Sequence, residues 1–196
     1  MIRLVACDLD GTVLDDQKRP DSGLKETIGK LKEKGIGFTF VSGRNEELLY
    51  RIIDEFELEG PYVTNNGANI YQKHRCLHND YIRNRYNDFL AGILYDNGIS
   101  FRLFADEGFY AYGDTAFFEE RMGILKQKGL IDYDRRMDMS PLHIYKITCD
   151  FNGHEDRIDP VSEKIRDSCP DLNFLKAEKG IYCANSQSAN KGQALK

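Results

Sequence analysis

The sequence has no long apolar run, no paired cysteines and no surplus of positive charge. Its first apolar run, from Leu4 to Cys7, is cut by Asp8, so we expect neither a signal peptide nor a membrane-spanning segment. The five cysteines are scattered without a CxxC pair, and the four histidines lack the spacing of zinc ligands. We therefore expect reduced thiols in a cytoplasmic protein that does not touch a membrane.

The charge balance is mildly acidic, with 27 lysines and arginines against 32 aspartates and glutamates. A nucleic-acid-binding protein needs a basic face to neutralise phosphates, so this balance weighs against a nucleic-acid partner. A small anionic substrate needs only local positive groups and remains compatible. The apolar fraction of 41% is ordinary for a globular protein, and the length suits one medium domain or two small ones.

The first third of the chain alternates apolar runs with helical patterns. The predicted elements are buried strands at 2–7, 36–41 and 62–64, helices at 22–34 and 45–56, and a hairpin turn at Asn66-Gly67 that leads into 68–72. Asp21 or Ser22 is the predicted cap of the first helix. Strands joined by single helices imply right-handed crossovers, and hence an α/β fold with a parallel sheet.

The pattern changes near Asn79. We predict helices at 81–96, 115–128 and 155–168, and strands at 99–105, 108–112, 143–151, 172–177 and 180–184. Strands joined by short turns pair antiparallel, so this part is a separate α+β unit. A last helix is predicted to begin at Asn190. The predicted domains are a core of 1–78 with 186–196 and an inserted domain of 79–185.

Two carboxylates, Asp8 and Asp10, directly follow the first predicted strand. Residues two apart at the end of a strand point to the same side, and ligands of open α/β sheets bind outside the carboxyl ends of the strands. Two adjacent acids repel one another unless a cation offsets the charge, which favours a hard cation such as Mg²⁺. The alternative is a solvated turn, where Asp and Gly are common.

Two further segments have the composition of an anion site. Ser42-Gly43-Arg44 joins a predicted strand to a helix N-terminus and offers a hydroxyl and N–H groups to a phosphate; the alternative is an N-cap serine with a turn glycine. Lys191 lies in the first turn of a predicted helix, where the helix dipole disfavours a cation. A bound anion would explain this lysine, and a solvated surface position is the alternative.

Together these segments resemble a known family. Asp8-Leu9-Asp10-Gly11-Thr12, Ser42-Gly43-Arg44 and Asn190-Lys191-Gly192 resemble, in order, the first three motifs of the haloacid dehalogenase (HAD) superfamily. The insert before Lys191 is similar to the C2-type α+β cap of the Cof-like branch, which also tends to carry the sequence found here at Asn66-Gly67-Ala68. The resemblance covers essentially the whole chain and implies a Rossmann-like parallel-sheet core with an inserted α+β cap domain.

The resemblance implies a Mg²⁺-dependent phosphatase that hydrolyses a small phosphomonoester, with sugar phosphates the family expectation. Asp8 would attack phosphorus to form an aspartyl-phosphate, and Asp10 would protonate the leaving oxygen and then activate water. Mg²⁺ would bind Asp8 and Asp10. The phosphoryl oxygens would be held by Thr12, Ser42, Gly43 and Lys191. Arg44 and Asn66 are weaker candidates, and Arg44 could instead pair with Glu46 or Glu47.

The family's fourth motif, Gly-Asp-x-x-Asn-Asp, does not occur in these 196 residues. We therefore expect a truncated form of a longer enzyme, with a core sheet incomplete at its C-terminal side, weak Mg²⁺ binding and little turnover. The first strand would then be an exposed apolar edge, open to self-association. A phosphomutase and a non-catalytic phospho-ligand binding protein remain as alternatives. The predicted cap offers candidate substrate contacts at Arg83, Arg85, Arg102, Tyr110, Tyr112 and His143.

Overall fold

The computed structural model describes residues 1–15, 17, 19–113 and 129–196. Their contacts divide the chain into two compact units, one of Met1–Asn79 with Ala189–Lys196 and one of Asp80–Ser188. The interpretation of the second unit as a cap domain stays a prediction.

The first unit contains the expected strand–helix alternation. Strand β1 (Leu4–Cys7) pairs in parallel with β2 (Gly37–Phe40), and Val41 at the end of β2 bridges in parallel to Val63 of β3 (Tyr62–Thr64). Helix α1 (Leu24–Glu33) connects β1 to β2, and α2 (Glu46–Glu55) connects β2 to β3. The predicted α/β fold class with a parallel sheet is therefore confirmed.

Strand β1 differs from its prediction as a buried strand. It begins at Leu4, and the side chains of Ile2 and Leu4 are 69% and 49% exposed. Within the described residues, β1 is hydrogen-bonded to β2 along one edge. The sequence predicts that this apolar strand lies at an exposed edge of the sheet. A strand with a neighbour on one side only has less cover for its side chains.

The core of the first unit lies between its helices and strands. Leu49 and Ile53 stand four residues apart on α2 and pack in one apolar cluster with Leu9, Phe40 and Tyr62. Each such buried side chain stabilises the fold by about 1.5–3 kcal/mol. This cluster fixes the end of β1, since Leu9 is fully buried. Helix α1 is capped by neither predicted residue, because its N-cap is Gly23.

A hairpin extends β3, as Asn66-Gly67 predicts. Residues Asn65–Gly67 form the turn, and β3 pairs antiparallel with β4 (Asn69–Gln72). A further strand, β5 (Arg75–Asn79), pairs with β4 and is absent from the prediction. Its turn at Lys73 and His74 uses positive φ values of 48° and 60°, without the glycine that normally announces such a turn.

The second unit is an α+β structure, as predicted. Its sheet has the strand order β10-β11-β9-β6-β7-β8, and neighbours pair antiparallel except β7 and β8, which are parallel. The strands are β6 (Ser100–Ala105), β7 (Gly108–Tyr112), β8 (Leu130–Asp132), β9 (Ile144–Asp150), β10 (Leu172–Glu178) and β11 (Ile181–Ser186). Strand β8 is absent from the prediction.

Two helices, α3 (Asn87–Asp96) and α4 (Ile158–Ser168), pack on this sheet through residues such as Leu90, Leu94 and Ile165. Both begin later than predicted, because Asn84–Tyr86 and Glu155–Arg157 form 3₁₀ turns. The predicted helix 115–128 lies outside the described residues. No helix in the described part of the chain is long and apolar enough to cross a membrane.

A histidine joins the β4–β5 turn to α2 and makes stability depend on pH. The ring nitrogens of His74 lie 2.7 Å from Glu46 and 2.8 Å from Asp54. A hydrogen bond to Glu46 and a weaker effect of the hydrogen bond to Asp54 raise the pKa of His74 above its ordinary value of 6.5. A raised pKa stabilises the fold below the unfolded-state value, and this stabilisation is lost as the pH rises through the folded-state value.

We therefore expect the free energy of unfolding, measured by urea denaturation, to fall as the pH is raised from about 6 to about 8. The substitution His74→Gln should flatten that slope, because glutamine does not titrate. His78→Gln is the matched control, since His78 is exposed on β5 in the same unit. A His74→Gln slope equal to that of the wild type would show that the His74 contacts do not contribute.

Candidate active site

Two carboxylates stand at the carboxyl end of β1, on either side of a buried anchor. Leu9 is fully buried, whereas Asp8 and Asp10 are partly exposed. The chain turns at once after Asp10, and the N–H groups of Thr12 and Leu14 both donate to the Leu9 carbonyl. The turn is therefore tied to the anchor, which holds both carboxylates at the edge of the sheet as the sequence predicts.

Lys191 reaches Asp8 from the far end of the chain. Its Nζ lies 2.8 Å from Asp8 Oδ2, while Asp8 Oδ1 accepts a hydrogen bond of 2.8 Å from the Leu9 N–H. The predicted helix at Asn190 is a short 3₁₀ turn at Gln193–Leu195, and the Asn190 side chain caps it by accepting from the Gln193 N–H. An ion pair with Asp8 replaces the solvated-surface alternative for Lys191.

Arg44 binds the second carboxylate. Its Nε and a terminal nitrogen donate to the two oxygens of Asp10 at 2.9 and 2.8 Å, and its side chain is 13% exposed. The alternative pairing with Glu46 or Glu47 is wrong, because Glu46 binds His74 and Glu47 accepts from Asn45. A bidentate arginine–carboxylate pair fixes both distance and orientation, so Arg44 restrains the Asp10 side chain.

Ser42 is buried between β2 and α2. Its N–H donates to the Val63 carbonyl, and its Oγ accepts a hydrogen bond of 3.1 Å from the Arg44 N–H. The N-cap residue of α2 is Asn45, so the interpretation of Ser42 as that N-cap is wrong. A hydroxyl that accepts still has its own hydrogen to donate, but Ser42 is fully buried, so its contact with a phosphoryl oxygen stays a prediction.

The turn at Asn65–Gly67 contacts both segments for which an anion site is predicted, Ser42-Gly43-Arg44 and Asn190-Lys191-Gly192. The N–H groups of Asn65 and Asn66 donate to the carbonyls of Arg44 and Ser42 at 2.8 and 3.0 Å. On the other side, Gly67 packs so closely on Asn190 that a Cβ at position 67 would lie 2.4 Å from the Asn190 carbonyl carbon. The sequence predicts the turn but not this role.

The remaining predicted residues lie around this cluster. Gly43 packs against Asn66, since a Cβ at position 43 would lie 2.7 Å from Asn66 Oδ1. Thr12 is exposed in the turn after Asp10, and its contact with a phosphoryl group stays a prediction. Burial, followed by the charge of Asp8, raises the pKa of Cys7. This thiol is therefore protonated near neutral pH and is a poor nucleophile.

A cation would find oxygen donors here, but few of them. Within residues 1–15, 17, 19–113 and 129–196, no group of three or more His, Cys, Asp or Glu side chains is arranged to hold a metal ion. Asp8 and Asp10 supply hard oxygen donors, and each already carries a cationic side chain. Mg²⁺ commonly binds one or two carboxylates and keeps several waters, so the donors fit Mg²⁺ in type although they are few.

Known proteins of similar sequence or similar fold include phosphatases. A phosphatase of Shigella flexneri named HMP-PP phosphatase is 30% identical over 115 residues, covering 56% of this chain and 41% of that protein. A haloacid dehalogenase-like hydrolase from Bacteroides thetaiotaomicron has the same fold, with a TM-score of 0.80, 18% identity and coverage of 100% of this chain and 75% of the other. A sugar phosphatase of HAD subclass IIB has a TM-score of 0.79 at 13% identity, covering 98% and 73%.

The similarity to the HMP-PP phosphatase thus spans about two fifths of that protein. The solved structures are similar in fold across nearly the whole of this chain. The family model of the haloacid dehalogenase-like hydrolases matches residues 5–196, a span that includes Asp8, Ser42 and Lys191. The chain belongs to the haloacid dehalogenase-like hydrolase family.

Proposed function

We propose that the protein is a Mg²⁺-dependent phosphatase that hydrolyses a small phosphomonoester through an aspartyl-phosphate on Asp8. The observation that carries this proposal is the 2.8 Å ion pair between Lys191 and Asp8, which lie 183 residues apart. A carboxylate held beside a lysine at the end of a strand is suited to attack a negatively charged phosphoryl group. The names of the related phosphatase and sugar phosphatase support a phosphorylated substrate, for which we propose a sugar phosphate.

The first half of the reaction transfers the phosphoryl group to the protein. An Asp8 oxygen forms a bond to phosphorus while the bond from phosphorus to the leaving oxygen breaks. Asp10, protonated on an oxygen that Arg44 has released, gives its proton to the leaving oxygen. Lys191 offsets the negative charge that accumulates on Asp8 and the phosphoryl oxygens. Ser42 and the Gly43 N–H donate hydrogen bonds to those oxygens, which keeps phosphorus in line with Asp8.

The second half releases phosphate. Asp10 accepts a proton from a water molecule, whose oxygen attacks phosphorus and breaks the bond to Asp8. Both oxygens of Asp10 accept hydrogen bonds from Arg44. This role therefore requires Arg44 to release one of them when the substrate binds.

Mg²⁺ would be held by the Asp8 carboxylate and the backbone carbonyl of Asp10. When bound, it would neutralise charge on the transferring group. Because these residues supply few ligands, we propose that the ion binds weakly to this chain and that turnover is slow.

Hydrolysis of p-nitrophenyl phosphate at increasing Mg²⁺ concentrations tests the proposal. We expect slow release of p-nitrophenol that rises with Mg²⁺, stops with EDTA and falls by about three orders of magnitude in Asp8→Asn. Asp167→Asn is the control, since Asp167 is exposed on α4. Equal rates in the wild type and Asp8→Asn would contradict the proposal.

A non-catalytic phospho-ligand binding protein is the second candidate. The bidentate hold of Arg44 on Asp10 favours it, because a carboxylate fixed at both oxygens is poorly placed to transfer protons. Thermal stabilisation by phosphate without any release of p-nitrophenol would support this candidate over the enzyme.

A further inference from the structure

In the turn at Asn65–Gly67, the backbone of Asn66 adopts the left-handed conformation that Asn-Gly turns use. Asn66 has φ +61° and ψ 22°, in the left-handed region, and Asn65 beside it has φ +50°. Asparagine tolerates this region better than most residues, yet glycine adopts it at lower cost. Since glycine would meet the backbone requirement of the turn, the Asn66 carboxamide can have a role of its own.

The side chain of Asn66 lies beside Gly43, in the Ser42-Gly43 segment that is proposed to bind phosphate. Asn66 Oδ1 lies very close to Gly43. A Cβ added at position 43 would be only 2.7 Å from this oxygen, closer than real Cβ atoms come to other atoms. The backbone of the same residue donates to the Ser42 carbonyl at 3.0 Å. Asn66 therefore touches both Ser42 and Gly43, through its backbone and through its carboxamide.

We infer that Asn66 is a positioning residue: its carboxamide fixes the Ser42-Gly43 segment in the conformation that binds a phosphoryl group. This inference rests on the proposed function, since it assigns a support to the site where the phosphoryl group would bind. The side chain acts through Gly43, because Ser42 is already held by the hydrogen bond from its N–H to the Val63 carbonyl. Its absence would weaken phosphate binding while the fold remains intact.

The substitution Asn66→Gly separates this role from a merely structural one. Glycine accepts φ +61° without strain, so the turn and its backbone hydrogen bonds are kept and only the carboxamide is lost. Lys73→Gly is the matched control, because Lys73 also has a positive φ, +48°, and lies exposed in the β4–β5 turn. Both substitutions relieve backbone strain, and only Asn66 faces Gly43.

The measurement is the affinity of the full chain for inorganic phosphate in the presence of Mg²⁺, by isothermal titration, together with the melting temperature. We expect Asn66→Gly to melt no lower than the wild type and to bind phosphate about tenfold more weakly, a change of about 1.4 kcal/mol in the free energy of binding. Lys73→Gly should bind like the wild type. Unchanged phosphate affinity in Asn66→Gly, with the wild type binding, overturns the inference alone.

Nuclear magnetic resonance distinguishes a failure of the inference about Asn66 from a failure of the proposed function. We expect the backbone amide resonance of Gly43 to move when phosphate is added to the wild type, and to start from a different position in Asn66→Gly. A Gly43 resonance that is the same in both proteins would show that the carboxamide does not act on this segment. A wild-type chain that binds no phosphate would contradict the proposed function, and the inference with it.

A double-mutant cycle adds an independent check. Gly43→Ala should weaken phosphate binding in the wild type, because the added Cβ meets Asn66 Oδ1. The same substitution should have a smaller effect in Asn66→Gly, where that contact no longer exists. Equal effects in both backgrounds would show that Asn66 and Gly43 are not coupled.

Discussion

Replacement of Lys191 with methionine is expected to lower the rate of p-nitrophenyl phosphate hydrolysis by about 10²–10³-fold, the usual effect of removing one preorganised electrostatic contact. The Lys191 ammonium lies 2.8 Å from Asp8 Oδ2 and supplies positive charge beside the proposed nucleophile. Methionine keeps much of the length of the side chain and removes that charge. The expected change is therefore in chemistry more than in folding.

Lys34→Met is the control for Lys191→Met. Lys34 is exposed at the end of α1, in the same unit, so its loss should change neither the rate nor the melting temperature appreciably. Wild-type activity in Lys191→Met would contradict the proposed role of the ion pair between Lys191 and Asp8. A fall in rate shared by both variants would indicate a general effect of positive charge instead.

Gly67→Ala is expected to destabilise the protein by about 3 kcal/mol, which corresponds to a melting temperature lower by roughly 6–12 °C. Two effects add. Gly67 has φ +104°, which a residue with a Cβ rarely adopts, and that Cβ would lie 2.4 Å from the Asn190 backbone. Because Lys191 follows Asn190, displacement of this backbone should also pull the ammonium away from Asp8 and reduce hydrolysis.

Gly35→Ala separates the two effects. Gly35 has φ +67°, but a Cβ there would meet nothing within 4 Å, so only the conformational cost of about 1–2 kcal/mol remains. We expect Gly35→Ala to lower the melting temperature less and to leave hydrolysis unchanged. Equal melting temperatures in the two variants would mean that the contact between Gly67 and Asn190 does not stabilise the fold.

The parallel core and the mostly antiparallel sheet of the second unit follow from the sequence, apart from β8, because their signals are local. Hydrophobic runs mark β2 and β3, and the turn chemistry of Asn66-Gly67 marks the hairpin. The strand β5 could not be predicted in this way, since Lys73 and His74 adopt positive φ through tertiary contacts of His74 with α2. The prediction that β1 is buried is also wrong. The exposure of a strand depends on which strands flank it and not only on its own residues.

The members of the candidate site could be named from the sequence, but their pairing could not. Motif order places Asp8, Asp10, Ser42 and Lys191 at one edge of the sheet. Arg44 pairs with Asp10 because of where β2 ends relative to Asp10. This tertiary relation has no signal in the sequence, where Glu46 and Glu47 were also possible partners. The contact between Gly67 and Asn190 joins residues far apart in sequence and has no local signal.

The most direct test of the central claim is to ask whether Asp8 becomes phosphorylated. The chain would be incubated with acetyl phosphate and Mg²⁺, and its peptides analysed by mass spectrometry before and after treatment with hydroxylamine, which cleaves acyl phosphates. We expect one phosphoryl group on Asp8, removed by hydroxylamine and absent from Asp8→Asn. A phosphoryl group that remains in Asp8→Asn, or a wild-type chain that is never phosphorylated, would contradict the assignment of Asp8 as the nucleophile.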